Sequence, residues 1–123
     1  MGCNSNAGGS GIGGSTKGLE EGRDYEFDYD DEFKQAVGSK VNKILTGSKS
    51  TRNLISDLKE IGYKLEGEGR GGINDSVHRL DFSREKNNTI ESLAIQTEEG
   101  YRGGEHYFYM NSAAYHFIKL NSN

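Results

Sequence analysis

The chain contains no proline, no tryptophan and only one cysteine among its 123 residues. A single thiol cannot close a disulfide within the chain, so ordinary packing must stabilise the fold, and the redox compartment cannot be read from cysteine usage. Apolar residues are also scarce, at 32% of the sequence. Because a membrane-spanning helix needs about 20 mainly apolar residues in a row, the sequence predicts no membrane-spanning segment.

The shortage of apolar residues is local. Residues 1–22 hold eight of the 18 glycines, and residues 20–32 carry eight acidic residues with one arginine. Residues 33–123 then contain 13 Lys and Arg against 11 Asp and Glu, a formal charge of +2. We therefore predict a flexible Gly/Ser-rich tether over 1–22, an acidic segment over 23–32 and a single domain over 33–123.

The N-terminal residues allow two interpretations. A secretory signal is not recognisable, and the Met-Gly start carries Asn6 where a myristoylation motif requires Ser or Thr. Cys3 followed by glycines resembles the mature end of a bacterial lipoprotein. The plainer interpretation is a fragment cut from a longer polypeptide at a Gly-rich linker.

The domain begins with helical patterns. Residues 31–45 repeat apolar side chains every four positions, although Gly38 interrupts them and predicts a short or broken helix. A clearer helix is predicted from Arg52 to Ile61, with Ser50 or Thr51 as its N-cap and Gly62 as its stop.

Five segments with two-residue alternation follow, at 63–66, 77–83, 89–97, 105–111 and 113–120. The connections between them are too short for crossover helices, so neighbouring strands should be antiparallel. The predicted fold class is α+β, with one or two N-terminal helices packed on a four- or five-stranded antiparallel sheet.

The sequence offers no cofactor or metal motif. The Gly-rich stretch 66–75 lacks the elements of a P-loop or a Rossmann fingerprint, and we predict a mobile hairpin loop there. No HExxH or CxxC pattern is present, and the acidic run over 24–31 lacks the spacing of a calcium loop.

All three histidines lie in predicted strands, and the alternation assigns His78, His106 and His116 to the apolar side of the sheet. Two of them meeting at one end of the sheet could act as general base and general acid. His106 is the strongest candidate, because Gly103 and Gly104 before it allow close approach of a substrate backbone. The alternative is that each is a half-buried structural histidine.

The opposite side of the predicted sheet interleaves aromatic and cationic residues. It carries Arg79, Tyr107, Tyr109, Tyr115 and Lys119, with Arg70 and Arg102 on the adjoining loops. Such a face could stack unpaired bases and neutralise phosphates of single-stranded RNA. An ordinary solvent-facing sheet surface is the alternative. The acidic segment alternates carboxylates with aromatics, so it could shield this face, or it could be a solvated linker or an added edge strand.

The element order and the segment GGEHYFYM at Gly103–Met110 resemble the C-terminal nuclease domains of bacterial polymorphic toxins, including contact-dependent growth inhibition effectors. The resemblance covers about residues 33–123 and is to the barnase, EndoU, colicin and RelE group. A second, partial likeness is to HicA-type RNA-cleaving toxins, through LISDLKEIGYKLEGEG at 54–69, with His78 near their strand histidine. The additional strands after Ser83 depart from that family.

The resemblance implies a metal-independent endoribonuclease that uses no cofactor and acts on tRNA or other RNA. Such a protein would be secreted or delivered from the cell surface and would act in the cytoplasm of a target cell. A cognate immunity protein would neutralise it. It implies that His106 is the general base or acid and that His78 or His116 is its partner. Arg79 or Arg70 would stabilise the phosphate, and Tyr107 and Tyr109 would hold bases. Since the domain is only mildly basic, a host protein could present the RNA.

The competing class is a non-catalytic binding module, either a lipoprotein domain anchored through Cys3 or an acidic interaction protein of the immunity type. Clustered histidines near an arginine would favour the enzyme, whereas scattered and individually satisfied histidines would favour the module.

Overall fold

The computed structural model describes residues 23–27 and 31–120. The predicted tether and residues 28–30 lie outside the described residues. The elements are, in chain order, β1 (Arg23–Phe27), α1 (Asp31–Val37), α2 (Ser39–Gly47), α3 (Thr51–Glu60), β2 (Lys64–Gly71), a 3₁₀ turn (Ile73–Asp75), β3 (Val77–Lys86), β4 (Thr89–Arg102) and β5 (Glu105–Lys119). The predicted α+β fold, with helices ahead of an antiparallel sheet, is confirmed.

The helices begin and end where local chemistry requires. Gly38 adopts φ 88°, a conformation that L side chains rarely adopt, and it separates α1 from α2. The N-cap of α3 is Ser50, whose hydroxyl accepts the N–H of Asn53 at 3.0 Å. After α3, Gly62 at φ 100° turns the chain into β2. The predicted broken helix and the predicted bounds of α3 are therefore confirmed to within one residue.

The sheet has the strand order β1-β5-β4-β3-β2, and every neighbouring pair is antiparallel. Two-residue turns join its long strands: Asn87 and Asn88 connect β3 to β4, and Gly103 and Gly104 connect β4 to β5. All four residues have positive φ, which is the conformation that two-residue hairpins of matching twist require. Consecutive hairpins thus build four of the five strands.

β1 adds the fifth strand at the edge. Arg23–Phe27 pairs antiparallel with residues 113–117 of β5, from Arg23 opposite Phe117 to Phe27 opposite Ala113. The first part of the acidic segment is therefore an edge strand, one of the alternatives considered above.

The three helices cover one face of the sheet. Buried residues of the helices meet buried residues of the strands in a single core. Its buried members are Phe33, Val37, Val41, Leu45, Leu54, Leu58, Tyr63, Leu80, Phe82, Leu93, Ile95, Ala113, Tyr115 and Phe117. We call this side of the sheet the helix face, and the opposite side the outer face.

A polar cluster is built into one end of this core. Arg84 donates to Glu91 at 3.0 Å and to the Ile61 carbonyl at 2.9 Å, and its guanidinium carbon lies 4.3 Å from the centroid of the Tyr63 ring. The Tyr63 hydroxyl donates to Glu91 at 3.2 Å. Burial raises the pKa of the Tyr63 hydroxyl, so the ring remains neutral.

A β-bulge in β5 corrects the predicted phase of the last strand. Gln96 pairs with Ser112 and Thr97 pairs with Met110, so Asn111 is an extra residue within one continuous strand. The sequence predicted two strands meeting at this point and one uninterrupted alternation. Because the bulge shifts the alternation by one residue, Tyr115 and Phe117 lie in the core, and His116 lies on the outer face.

The Gly-rich stretch 66–75 is also different from its prediction as a mobile hairpin loop. Most of it belongs to β2, which pairs with β3 from Lys64 opposite Ser83 to Gly71 opposite Val77. The ladder of hydrogen bonds to β3 outweighs the low strand propensity of glycine.

Candidate functional site

A cleft of about 740 Å³ lies on the helix face, between the flank of α3 and strands β2, β3 and β4. It is open to solvent and combines cationic, carboxylate, hydroxyl and imidazole groups. Its lining consists of Ser50, Thr51, Arg52, Ile55, Ser56, Lys59, Glu68, Arg70, His78 and Glu99. This cleft is our candidate functional site.

His78 forms part of the cleft wall although it is nearly enclosed, with 7% of its surface exposed. Alternation along β3 places it on the helix face with Leu80 and Phe82. Its Nδ1 atom is buried and has no hydrogen-bond partner among the residues that the structure describes. Buried polar atoms are normally paired, so this nitrogen is an unsatisfied hydrogen-bonding group behind the wall of the cleft.

Glu99 joins the start of α3 to His106. Its Oε1 accepts the backbone N–H of Thr51 at 3.0 Å, at the start of α3, and its Oε2 lies 2.8 Å from Nε2 of His106. Burial raises the pKa of Glu99, but hydrogen bonding from Thr51 and from His106 outweighs it and holds the pKa below the ordinary value. Glu99 is therefore an ionised carboxylate at neutral pH.

The charge of Glu99 determines the role of the nearby imidazole. An ionised carboxylate can only accept a hydrogen bond, so Nε2 of His106 carries the proton of this contact. In the neutral ring Nδ1 is then the basic nitrogen. With 39% of its side chain exposed, His106 can exchange protons with a bound substrate.

The cleft favours an anion. Three cationic side chains, Arg52, Lys59 and Arg70, outnumber the two carboxylates of Glu68 and Glu99. Arg70 stands directly opposite His78 in the register of β2 and β3. These cations are suited to binding a phosphate group in the cleft, whose lining also includes the ionised carboxylate of Glu99.

The structure brings together some of the predicted site residues and separates others. His78, Arg70 and His106 all lie on the helix face, the first two in the cleft and the third beside it. His78 is level with Thr97 and His106 with Tyr101, so four residue steps, about 13 Å along a strand, separate the two histidines. Glu99 lies midway between those two positions.

Two other predicted participants lie on the wrong side of the sheet to act with His106. Arg79 is exposed on the outer face, and His116 is there because of the bulge at Asn111. Neither side chain can reach the cleft through the sheet, so the roles suggested for them are corrected.

The residues predicted to bind bases lie in different parts of the structure. Tyr115 is 4% exposed in the core, so its expected role in stacking bases is wrong, and Lys119 follows it at the far end of β5. On the outer face the rings of Tyr107 and Tyr109 stack with centroids 6.0 Å apart, and Arg102 lies 4.8 Å from the Tyr107 centroid.

The side chains of Tyr107 and Tyr109 are both hydrogen-bonded to Glu98. The Tyr107 and Tyr109 hydroxyls donate to its two carboxylate oxygens at 3.0 and 2.9 Å. The hydrogen bond to Glu98 raises the pKa of Tyr109. The ring of Tyr107 lies over Gly100, where a Cβ would come within 3.2 Å of the tyrosine hydroxyl.

Sequence reasoning did not identify Glu99, Arg52 or Lys59 as site residues. A signal for Glu99 was present, because Leu93, Ile95, Thr97 and Glu99 continue one alternation along β4. The predicted strand ended at Thr97 and so excluded the carboxylate. The cations of α3 carry no such signal, since their proximity to β2 depends on helix packing.

The described residues contain no group of three or more His, Cys, Asp and Glu side chains that could hold a metal ion. Over the same residues, no helix has the length and apolar character needed to cross a membrane.

Comparison with protein-family models, with curated proteins and with solved structures finds no match to this chain. The toxin resemblance therefore remains a prediction, and the geometry of the cleft carries the functional argument.

Proposed function

We propose that the chain is an endoribonuclease that cleaves RNA by general acid–base chemistry at the cleft of Glu99, His106, His78 and Arg70. The hydrogen bond between Glu99 and His106 at the edge of a cation-lined cleft is the observation that carries the proposal. His106 is held by the ionised carboxylate of Glu99, and this pairing favours an enzyme over a binding module. His78 and Arg70 share the same face of the sheet but lie about 13 Å from His106 along the strands.

In the proposed reaction His106 Nδ1 accepts the proton of a ribose 2′-hydroxyl, and the 2′-oxygen attacks the neighbouring phosphorus. The bond from phosphorus to the 5′-oxygen breaks, the leaving oxygen takes a proton from water, and His106 returns the proton that it accepted to the solvent. The products are a 2′,3′-cyclic phosphate and a 5′-hydroxyl. Glu99 holds the ring of His106 in the required tautomer and stabilises the imidazolium that forms, while Arg70 and Lys59, at the His78 end of the cleft, bind phosphates further along the RNA.

A direct test uses purified chain, single-stranded RNA and EDTA in the buffer. We expect fragments that end in 2′,3′-cyclic phosphate, no cleavage of the same sequence with 2′-deoxyribose, and loss of activity in His106→Ala. His78→Ala should weaken cleavage, and His116→Ala is the matched control because it lies on the outer face. Binding of RNA without any cleavage would favour the non-catalytic module instead.

We propose that the protein is a secreted or surface-delivered toxin that acts on tRNA or other RNA. An immunity protein would inhibit it in the cell that produces it. Expression in a bacterium without a partner gene should then arrest growth and produce tRNA fragments, with relief by His106→Ala. Healthy growth of cells that make the soluble wild-type chain would contradict the toxin proposal.

A further inference from the structure

The ring of Tyr101 is exposed beside the proposed catalytic pair. It follows Glu99 by two residues on β4, so both side chains lie on the helix face, and it stands opposite His106 in the register. The Tyr101 and His106 rings meet edge to face, with centroids 5.6 Å apart. Tyr101 nevertheless remains 76% exposed. The contact with His106 fixes the ring and leaves most of its surface uncovered.

A second groove, of about 460 Å³, begins where the cleft ends. Glu99 belongs to the lining of both. On the side of β4 and β5 the groove is lined from both faces of the sheet, by Tyr101 on the helix face and by Glu98, Gly100, Arg102 and Tyr107 on the outer face. Ile73 and Asn74, on the 3₁₀ turn, line its other side, and Ile73 is 83% exposed. Aromatic and aliphatic side chains thus share a groove with an amide and a guanidinium.

The floor of this groove is an open strand edge. β3 begins at Val77, opposite Glu98, and the Glu99 N–H donates to the Ser76 carbonyl at 2.8 Å. Residues two apart along a strand direct their backbone groups to the same edge, so the N–H and C=O of Tyr101 point into the groove. Within the described residues no strand pairs with that edge beyond Glu99.

We propose that this groove binds one unpaired nucleobase of the RNA, the base next to the phosphate that Glu99 and His106 act on. The base stacks on the Tyr101 ring, and its polar edge meets the backbone N–H and C=O of Tyr101 and the Asn74 amide. This inference rests on the proposed function for its substrate class. It assigns base stacking to the Tyr101 ring at the open edge of β4, whereas Tyr107 borders the same groove from the outer face.

The absence of tryptophan makes the test specific, because Tyr101→Trp introduces the only indole of the chain. The probe is a 2′-O-methyl tetranucleotide, which cannot be cleaved through its 2′-oxygen, together with an abasic version of the same length. Stacking should quench the fluorescence of the introduced indole with the tetranucleotide and not with the abasic chain. Tyr109→Trp, on the outer face of the same hairpin, is the matched control and should show no quenching.

Kinetics with cleavable RNA give a second readout. Tyr101→Ala should lower kcat/KM about 5- to 150-fold, the range that corresponds to one stacked base, mainly through KM. Tyr101→Phe should lose less kcat/KM than Tyr101→Ala, since it keeps the aromatic ring and the backbone groups.

The two proposals fail in distinguishable ways. Cleavage by the wild-type chain, with no quenching at position 101 and an unchanged kcat/KM in Tyr101→Ala, would overturn the base site and leave the nuclease proposal standing. Quenching at position 101 without cleavage by the wild-type chain would support the base site and overturn the nuclease proposal. Equal quenching by the abasic chain, or at position 109, would overturn stacking on Tyr101.

Discussion

Oε2 of Glu99 accepts a hydrogen bond from Nε2 of His106 at 2.8 Å. The other carboxylate oxygen of Glu99, Oε1, accepts the backbone N–H of Thr51 at the N-terminus of α3. The position of the imidazole therefore depends on a helix that is distant in sequence. If His106 transfers the proton in RNA cleavage, the carboxylate is as important as the ring.

Replacing Glu99 by glutamine tests that dependence. The amide cannot stabilise an imidazolium, and it can present an N–H to the ring, which favours the wrong tautomer. We expect kcat/KM for RNA to fall by about 10²- to 10⁴-fold, the range of a lost acid–base contribution. Glu85→Gln, an exposed carboxylate on β3, is the control and should retain full activity. Equal activity of the two variants would contradict the proposed role of Glu99.

The low pKa of Glu99 also predicts an acid-dependent loss of stability. Its pKa lies below its ordinary value of 4.5 in the folded chain, so ionised Glu99 contributes stability above that pH. The contribution is lost as pH falls through the folded pKa. Urea midpoints at pH 7 and pH 3 should therefore differ less in Glu99→Gln than in the wild type. Glu85→Gln should keep the wild-type difference, and a Glu99→Gln curve parallel to wild type would contradict the prediction.

Arg84 and Glu91 offer a test at the other end of the core. Their side chains are 11% and 13% exposed, so removing one charge leaves the other buried without its partner. We expect Arg84→Met to lower the free energy of unfolding by about 3–5 kcal/mol. The double variant with Glu91→Gln should recover part of this loss, because a neutral amide still accepts from Tyr63.

The control for the charge pair is Arg79→Met, an exposed arginine on the same strand. Urea denaturation should show a change of at most about 0.5 kcal/mol for it. An effect of the same size in Arg79→Met and Arg84→Met would mean that burial of the pair is not the cause.

Gly62 provides a backbone prediction. Its φ of 100° is a conformation that L side chains rarely adopt, and the nearest atom to an added Cβ, on Arg84, is 3.9 Å away, so conformational strain is the main cost. Gly62→Ala should lower stability by about 1–2 kcal/mol. Gly69→Ala is the matched control, because it has open space and no positive φ, and it should not destabilise. Chemical denaturation of both variants measures the difference.

Much of the fold follows from local sequence signals. The cap at Ser50 and the glycines at positions 38 and 62 act within a few residues, and each appears where it was expected. The Asn-Asn and Gly-Gly turns act over an equally short range. Local signals also give the antiparallel order of β2 to β5, because short turns leave no other connection.

The errors arise where distant contacts decide the outcome. The bulge at Asn111 has no composition signal of its own. It allows Tyr115 and Phe117, rather than His116 and Ile118, to fill the core, and this shift moved three predicted site residues, Tyr115, His116 and Lys119, to the face opposite the predicted one. The glycines of β2 likewise form a strand only because β3 provides hydrogen-bond partners.

The site shows the same division between local and distant information. The alternation of β3 places His78 on the helix face, but the cleft also needs the flank of α3 and the extended end of β4. Which cations meet His78 is determined by how α3 lies on the sheet, and no spacing in the sequence encodes that.

The edge position of β1 has a consequence for the order of folding. The pairs β2–β3, β3–β4 and β4–β5 join neighbours in sequence, whereas β1 pairs with a strand from the opposite end of the described chain. Closing so long a loop costs more entropy than closing a hairpin, and an edge strand gains hydrogen bonds on one side only. Amide hydrogens of Arg23–Phe27 should consequently exchange with solvent before those of the central strand β4, in an opening that leaves the other four strands folded.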